Sequence, residues 1–98
     1  MSSKLVRDSI PDIIRIEGRI AKIHIANNEE YQSKLREKLQ EEVNEFLESG
    51  NIEELADILE VVYALNDSAG VDRNILESVR EKKLRDRGGF SRRIILET

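Results

Sequence analysis

The stretch of residues 41–57, EEVNEFLESGNIEELAD, constrains the fold most, because it places a helix break between two helix-forming segments. Gly50 supplies the left-handed backbone conformation that ends many helices, and Asn51 is a preferred N-cap residue. The apolar residues on both sides of the break recur at helical spacing. The stretch therefore predicts two antiparallel helices that are joined by a short turn at residues 49–51.

Two pairs of acidic residues flank this turn, Glu42 with Glu45 and Glu54 with Asp57, each at the i,i+3 spacing of helical neighbours. In a tight antiparallel hairpin, residues equidistant from the turn lie at the same height. Glu45 is then level with Glu54, and Glu42 is level with Asp57. Four carboxylates within about 4.5 Å along the helix axis repel one another unless they are solvated, protonated or bound to a cation. Oxygen ligands suit a hard ion such as Mg²⁺ or Mn²⁺.

The alternative is that these acids belong to ordinary solvated helix faces. Glu54 also follows Asn51 by three residues, the position from which a capping-box Glu accepts a hydrogen bond from the N-cap amide. The helical wheel favours the metal interpretation. Glu42 lies beside the apolar stripe of its helix, and Asp57 shares a face with Val61.

Apolar periodicity and capping residues predict four helices in all. Alternation in residues 20–25, IAKIHI, predicts a short half-buried strand, and we expect it to pair with residues 93–97, RIILE. The predicted fold is mainly α, an antiparallel helical bundle with a small two-stranded β element, in one domain over residues 1–98. The predicted helices are a short one with Pro11 in its first turn, residues 29–48, residues 52–69, and one that Asp72 caps and Gly88-Gly89 ends.

The net charge of −4 conceals an asymmetry between two segments. Residues 41–60 contain eight acids and no Lys or Arg, whereas residues 80–93 contain seven Lys or Arg residues. The two segments are either complementary halves of one site, for a cation and for phosphate, or surfaces that simply attract each other. The acidic balance argues against nucleic acid as the main partner. The phosphate-binding candidates are Lys82, Lys83 and Arg87, followed by Lys4 and Arg7, which otherwise belong to a solvated N-terminal arm.

The chain has no cysteine, no signal-peptide pattern and no apolar run long enough to span a bilayer. We therefore expect a cytoplasmic protein without a membrane partner. A chain of 98 residues buries only roughly two-thirds of its unfolded surface. We accordingly expect a homodimer or a dimer of dimers.

The acidic motifs also resemble those of a known family. EEVNE at residues 41–45, followed by EELADILEV at residues 53–61, looks like the paired motifs of the MazG-like, all-α nucleoside triphosphate pyrophosphohydrolases. This superfamily includes phosphoribosyl-ATP pyrophosphohydrolase. KLVRDSIPDII and KKLRDRGGF are similar to the two ends of a small MazG-like branch, so the resemblance covers nearly the whole chain. Only eight residues separate Glu45 from Glu54, fewer than is usual in MazG proper, so the resemblance does not extend to substrate preference.

The resemblance implies a hydrolase of phosphoric anhydrides that cleaves a nucleotide between its α and β phosphates, giving a monophosphate and pyrophosphate. It implies Mg²⁺ or Mn²⁺ held by Glu42, Glu45, Glu54 and Asp57. Glu41 is the spare carboxylate for activating water or supporting a second ion, so Glu41, Glu42 and Glu45 are the catalytic candidates. Two alternatives stay open: phosphoribosyl-ATP hydrolysis in histidine biosynthesis, and a non-catalytic helical interaction module.

Overall fold

A computed structural model describes residues 3–97. These residues form four α-helices, which confirms the prediction of a mainly α fold. None of these helices is both long and apolar enough to cross a membrane. The chain divides into two compact units, Met1–Leu65 and Asn66–Thr98. The helices are α1 (Ile10–Ile16), α2 (Asn28–Ser49), α3 (Ile52–Ser68) and α4 (Arg73–Arg87).

Local chemistry explains where the helices begin and end. Gly50 ends α2 with φ of 67°, in the left-handed region, and its N–H donates to the Phe46 carbonyl at 2.8 Å. At the other end of α2, the Asn27 side chain caps the helix by accepting a hydrogen bond from the Glu30 amide. Asp72 caps α4 in a similar way, and the predicted bounds of α2, α3 and α4 agree with the structure to within one or two residues.

The first unit is built on the hairpin of α2 and α3. Leu35 of α2, which is only 1% exposed, and Val61 of α3 are the buried apolar side chains among the described residues. The N-terminal arm, residues 3–9, crosses this hairpin with Leu5 and Val6 half-buried. One anchor of the arm is the Ser3 carbonyl, which accepts a hydrogen bond from Lys34 Nζ at 2.9 Å. The core therefore lies between the facing sides of α2 and α3, beneath the arm.

The second unit consists of the last turn of α3, α4 and the segment that follows it. Arg73 and Asp67 form a two-point ion pair, with one Nη2–Oδ2 distance of 2.7 Å, and this pair lowers the pKa of Asp67. Ile75 and Val79 on α4 are about half exposed. The apolar side chains of α4 are therefore only partly covered.

The predicted two-stranded β element is wrong, because no strand forms among residues 3–97. Residues 20–25 have an irregular backbone with Ile23 and Ile25 exposed, and residues 93–97 are exposed throughout. Alternating apolar residues describe which way side chains would point, but a strand also needs a hydrogen-bonding partner. Because an isolated two-stranded pair is only marginally stable in water, the alternation alone does not produce one.

Candidate metal centre

The hairpin gathers five carboxylates around Glu42. Glu41, Glu42 and Glu45 of α2 each offer one carboxylate oxygen, and these oxygens lie within 4.8 Å of one another. Glu42 forms a second such group with Glu54 and Asp57 of α3, at the same limiting distance. We name these five residues the acidic centre. Glu42 is common to both groups, whereas Glu45 belongs to the first group and Glu54 and Asp57 to the second.

Glu42 is the most deeply placed member of the acidic centre. Its side chain is 8% exposed, and its Oε1 lies 3.2 Å from Lys38 Nζ. Its other oxygen, Oε2, is buried and has no hydrogen-bond partner in the described part of the chain. Burial raises the pKa of Glu42, the hydrogen bond from Lys38 lowers it, and the neighbouring Glu45 raises it again, with a net upward shift. The site therefore disfavours the charged form of Glu42 unless a further cation is supplied.

Two cations of the N-terminal arm contact the acidic centre directly. Arg7 Nη2 lies 2.6 Å from Asp57 Oδ1, and Lys4 Nζ lies 3.3 Å from Glu41 Oε1. The sequence led us to expect phosphate contacts from these two side chains or a solvated arm. In the structure they partly neutralise the acids, across sequence separations of 50 and 37 residues.

Lys38 is a third cation at the acidic centre, and the sequence analysis missed it. Its Nζ lies 3.2 Å from Glu42 Oε1 and 3.6 Å from Glu41 Oε1. The spacing carried this information, because Lys38 precedes these acids by four and three residues and so shares their helix face. The charge comparison began at residue 41 and left Lys38 outside the acidic segment. Five carboxylates thus face three cations.

The capping alternative for Glu54 finds no support in the backbone of the turn. A capping-box Glu54 would accept a hydrogen bond from the Asn51 amide. That amide donates to Ser49 Oγ at 3.2 Å. The Glu54 carboxylate instead lies with those of Glu42 and Asp57.

A groove of about 320 Å³ runs from the acidic centre between the arm, α2 and α3. One end contains Glu42 and Asp57, and the other contains the aromatic ring of Tyr31 with Ala64 on the facing helix. Leu35 and Val61 also line it, so the groove combines charged walls with an apolar floor. Its volume lies at the lower end of the range of roughly 300–1,000 Å³ that small-molecule sites occupy.

The basic candidates Lys82, Lys83 and Arg87 lie on α4, in the second unit. All three are exposed, and Lys82 forms an ion pair with Asp86 one helical turn away. Gly88 ends α4 as predicted, with its N–H donating to the Leu84 carbonyl at 2.8 Å. The three side chains thus belong to the exposed, positively charged surface of α4.

Comparison with known proteins assigns no family. No family model matches the chain, and no curated protein or solved structure matches it. What the fold and the site define is therefore a class: an all-α chain whose helical hairpin carries a partly buried acidic centre beside a small groove.

Proposed function

We propose that the chain is a metal-dependent nucleotide pyrophosphohydrolase with a MazG-like helical bundle. The observation that carries the proposal is the buried Glu42 oxygen that lacks a hydrogen-bond partner within a group of carboxylates. On an ordinary solvated helix face, both oxygens of a carboxylate would be exposed to water. Leaving a buried acceptor unpaired costs roughly 1–3 kcal/mol, so its presence is more readily explained by a ligand that completes its bonding.

The donor set fits Mg²⁺ or Mn²⁺. Glu42, Glu45, Glu54 and Asp57 would hold the ion, and all of them offer carboxylate oxygens, which hard cations prefer. Bound there, the ion would supply charge neutralisation for the phosphate oxygens of the substrate.

Side chains of the protein would carry out the remaining steps. Glu41 is the group proposed to accept a proton from the attacking water, since it lies at the edge of the acidic centre and is only partly buried. The water oxygen forms a bond to phosphorus as the bridging bond between the α and β phosphates breaks. The products are a nucleoside monophosphate and pyrophosphate. Positive charge for the leaving pyrophosphate would come from Lys82, Lys83 and Arg87, with Lys4 and Arg7 as further phosphate contacts.

The groove suits the nucleoside part of the substrate. It begins at Glu42 and Asp57 and extends along the hairpin to Tyr31, so a molecule held by its phosphates at the acidic centre would direct its base towards an aromatic ring. Phosphoribosyl-ATP, the bulkier alternative substrate, carries the same triphosphate and would use the same contacts at the acidic end.

We further propose a homodimer, or a dimer of dimers, as the functional assembly. Leu35 and Val61 are the apolar side chains buried in the described chain, while Leu55 and Leu59 on α3 are about half exposed and Ile52 is largely exposed. These α3 residues lie at helical spacing on one stripe. Packing that stripe against a second copy would complete the helical bundle.

A non-catalytic interaction module is the second candidate, and a specific observation favours it. Arg7, Lys4 and Lys38 already neutralise part of the acidic centre, so the hairpin holds together through contacts of its own. In that case neither metal nor nucleotide would bind with measurable affinity.

Pyrophosphate release tests the proposal. Nucleoside triphosphates and phosphoribosyl-ATP would be supplied with Mg²⁺ or Mn²⁺, and pyrophosphate would be measured enzymatically beside the matching monophosphate. We expect metal-dependent release from at least one nucleotide and its loss in Glu42→Gln. The matched control is Glu37→Gln, which removes an exposed carboxylate of α2 that pairs with Lys34 outside the acidic centre. Absence of release from every nucleotide with both metals would support the interaction module instead.

A further inference from the structure

The N-terminal arm contacts the carboxylates that a metal ion would need. Arg7 Nη2 lies 2.6 Å from Asp57 Oδ1, and Lys4 Nζ lies 3.3 Å from Glu41 Oε1. Mg²⁺ binds carboxylate oxygens at about 2.1 Å and requires close to octahedral geometry. A guanidinium hydrogen-bonded to Asp57 and a metal ion on the same carboxylate therefore compete for its lone pairs and its charge.

The arm is the displaceable part of this arrangement. Arg7 precedes α1, outside regular secondary structure, and its side chain is 54% exposed. Lys38 differs, because it belongs to α2 and its side chain is only 17% exposed. Moving Arg7 away from Asp57 breaks one exposed ion pair and no helical hydrogen bond. Moving Lys38 would remove the ion-pair partner of the buried Glu42 carboxylate.

We infer that Arg7 is a positioning residue that competes with a divalent cation for Asp57 and is released towards substrate phosphate when the cation binds. The inference rests on the proposed function, because it assigns Arg7 a role at that same centre. Without the cation, Arg7 offsets the repulsion between Asp57 and Glu42. With the cation bound, the freed guanidinium is left beside the acidic end of the groove.

The competition between Arg7 and the cation predicts in which direction metal affinity changes. When the metal binds alone, part of its binding free energy is used to break the ion pair between Arg7 and Asp57. Removal of the Arg7 charge therefore strengthens metal binding. A phosphate group that engages Arg7 removes the same cost, so metal and phosphate strengthen each other's binding, as linkage between two sites requires. A purely structural ion pair has no such effect on metal affinity.

Titration calorimetry of the full chain with Mg²⁺ alone, and separately with Mn²⁺ alone, tests the inference. The variants are Arg7→Gln, the charge-retaining Arg7→Lys, and Arg19→Gln as the matched control. Arg19 Nη2 also lies 2.6 Å from a carboxylate, that of Glu17, and is comparably exposed. We expect Arg7→Gln to bind metal about fivefold more tightly, which corresponds to about 1 kcal/mol at 1.4 kcal/mol per factor of ten. The Arg7→Lys and Arg19→Gln variants should match the parent chain.

The outcomes separate this inference from the proposed function. If the parent binds metal and Arg7→Gln binds it equally or more weakly, the competition is refuted while the metal centre stands. If the parent binds neither ion, the metal centre is refuted and the inference with it. If circular dichroism shows Arg7→Gln to be unfolded, side-chain NMR of the parent decides. Added Mg²⁺ should shift the Arg7 Nε–H resonance and leave that of Arg19 in place, and an unmoved Arg7 resonance would refute the competition.

Discussion

Replacing Glu42 by Gln should make the metal-free protein more stable. The carboxylate is almost fully buried, its Oε2 has no hydrogen-bond partner in the described chain, and its acidic neighbours repel it. A neutral amide of the same shape avoids the repulsion, and its NH₂ group can donate to the carboxylates of Glu54 or Asp57.

The magnitude follows from two opposing contributions. An unpaired buried acceptor costs roughly 1–3 kcal/mol, and the substitution relieves much of this cost. The variant also exchanges its largely buried ion pair with Lys38 for a weaker hydrogen bond from Lys38 Nζ to the amide oxygen, which reduces the gain. We therefore expect a net stabilisation of about 1–2 kcal/mol. For a domain of this size, each kcal/mol raises Tm by roughly 4–8 °C.

The pH dependence of the difference provides an internal check. Burial raises the pKa of Glu42 above its ordinary value of 4.5, so between 4.5 and the raised pKa the folded state binds more protons than the unfolded state. Stability from this group is therefore fully present below pH 4.5 and is lost as the pH rises through the folded-state pKa. Protonated Glu and Gln are both neutral, so the advantage of Glu42→Gln should be small below pH 4.5 and should grow as the pH rises.

Thermal melts in EDTA across this pH range measure the effect, with Glu37→Gln as the control. That control removes a carboxylate with a Lys partner from the same helix, and it should change stability by less than about 0.5 kcal/mol. Mg²⁺ at a hundred times Kd should then reverse the order, because the ion stabilises the parent by about 2.7 kcal/mol at that concentration and the variant much less. An EDTA melt in which Glu42→Gln unfolds at or below the parent Tm would refute this reasoning.

Three further predictions concern the rest of the chain. Lys82→Ala, Lys83→Ala and Arg87→Ala should each reduce pyrophosphate release while leaving Tm nearly unchanged, since exposed charges contribute less than about 1 kcal/mol to stability; unchanged release in all three would assign them to the solvated surface. Leu35→Ala should destabilise the fold by about 2–5 kcal/mol in urea unfolding, and a loss below about 1 kcal/mol would contradict its central place in the core. Light scattering should give a dimer or tetramer mass, and a folded monomer at high micromolar concentration would contradict the proposed assembly.

The hairpin was predictable because each of its determinants is local. Gly50 ends α2, and equal distances from the turn place Glu42 beside Asp57. Glu42 lies next to an apolar stripe in the sequence, and the structure buries its side chain. Helix periodicity and a short turn are sufficient for these features, since neither depends on contacts distant in sequence.

Other features were not predictable because they depend on distant partners. No local rule pairs Arg7 with Asp57, 50 residues later, so the contact between the arm and the acids emerged only from the folded chain. The strand predicted from the alternation in residues 20–25 was wrong for the same reason, since a strand requires a second strand in register. Lys38 is a different case: its spacing from Glu42 was readable in the sequence, but Lys38 lies just before the acidic segment of residues 41–60.

The formal charge of the acidic centre bears on the proposal that it binds a cation. Five carboxylates and three cations leave two formal negative charges, which one divalent cation would neutralise. If Lys4 and Arg7 turn to the phosphates of a nucleotide, four negative charges remain, which two divalent cations would neutralise. A cluster with only a structural role has no need of this excess, because further Lys or Arg side chains could balance it within the chain. The unpaired Oε2 of Glu42 lies where the excess is most costly, which is where a bound cation would contribute most to stability and to catalysis.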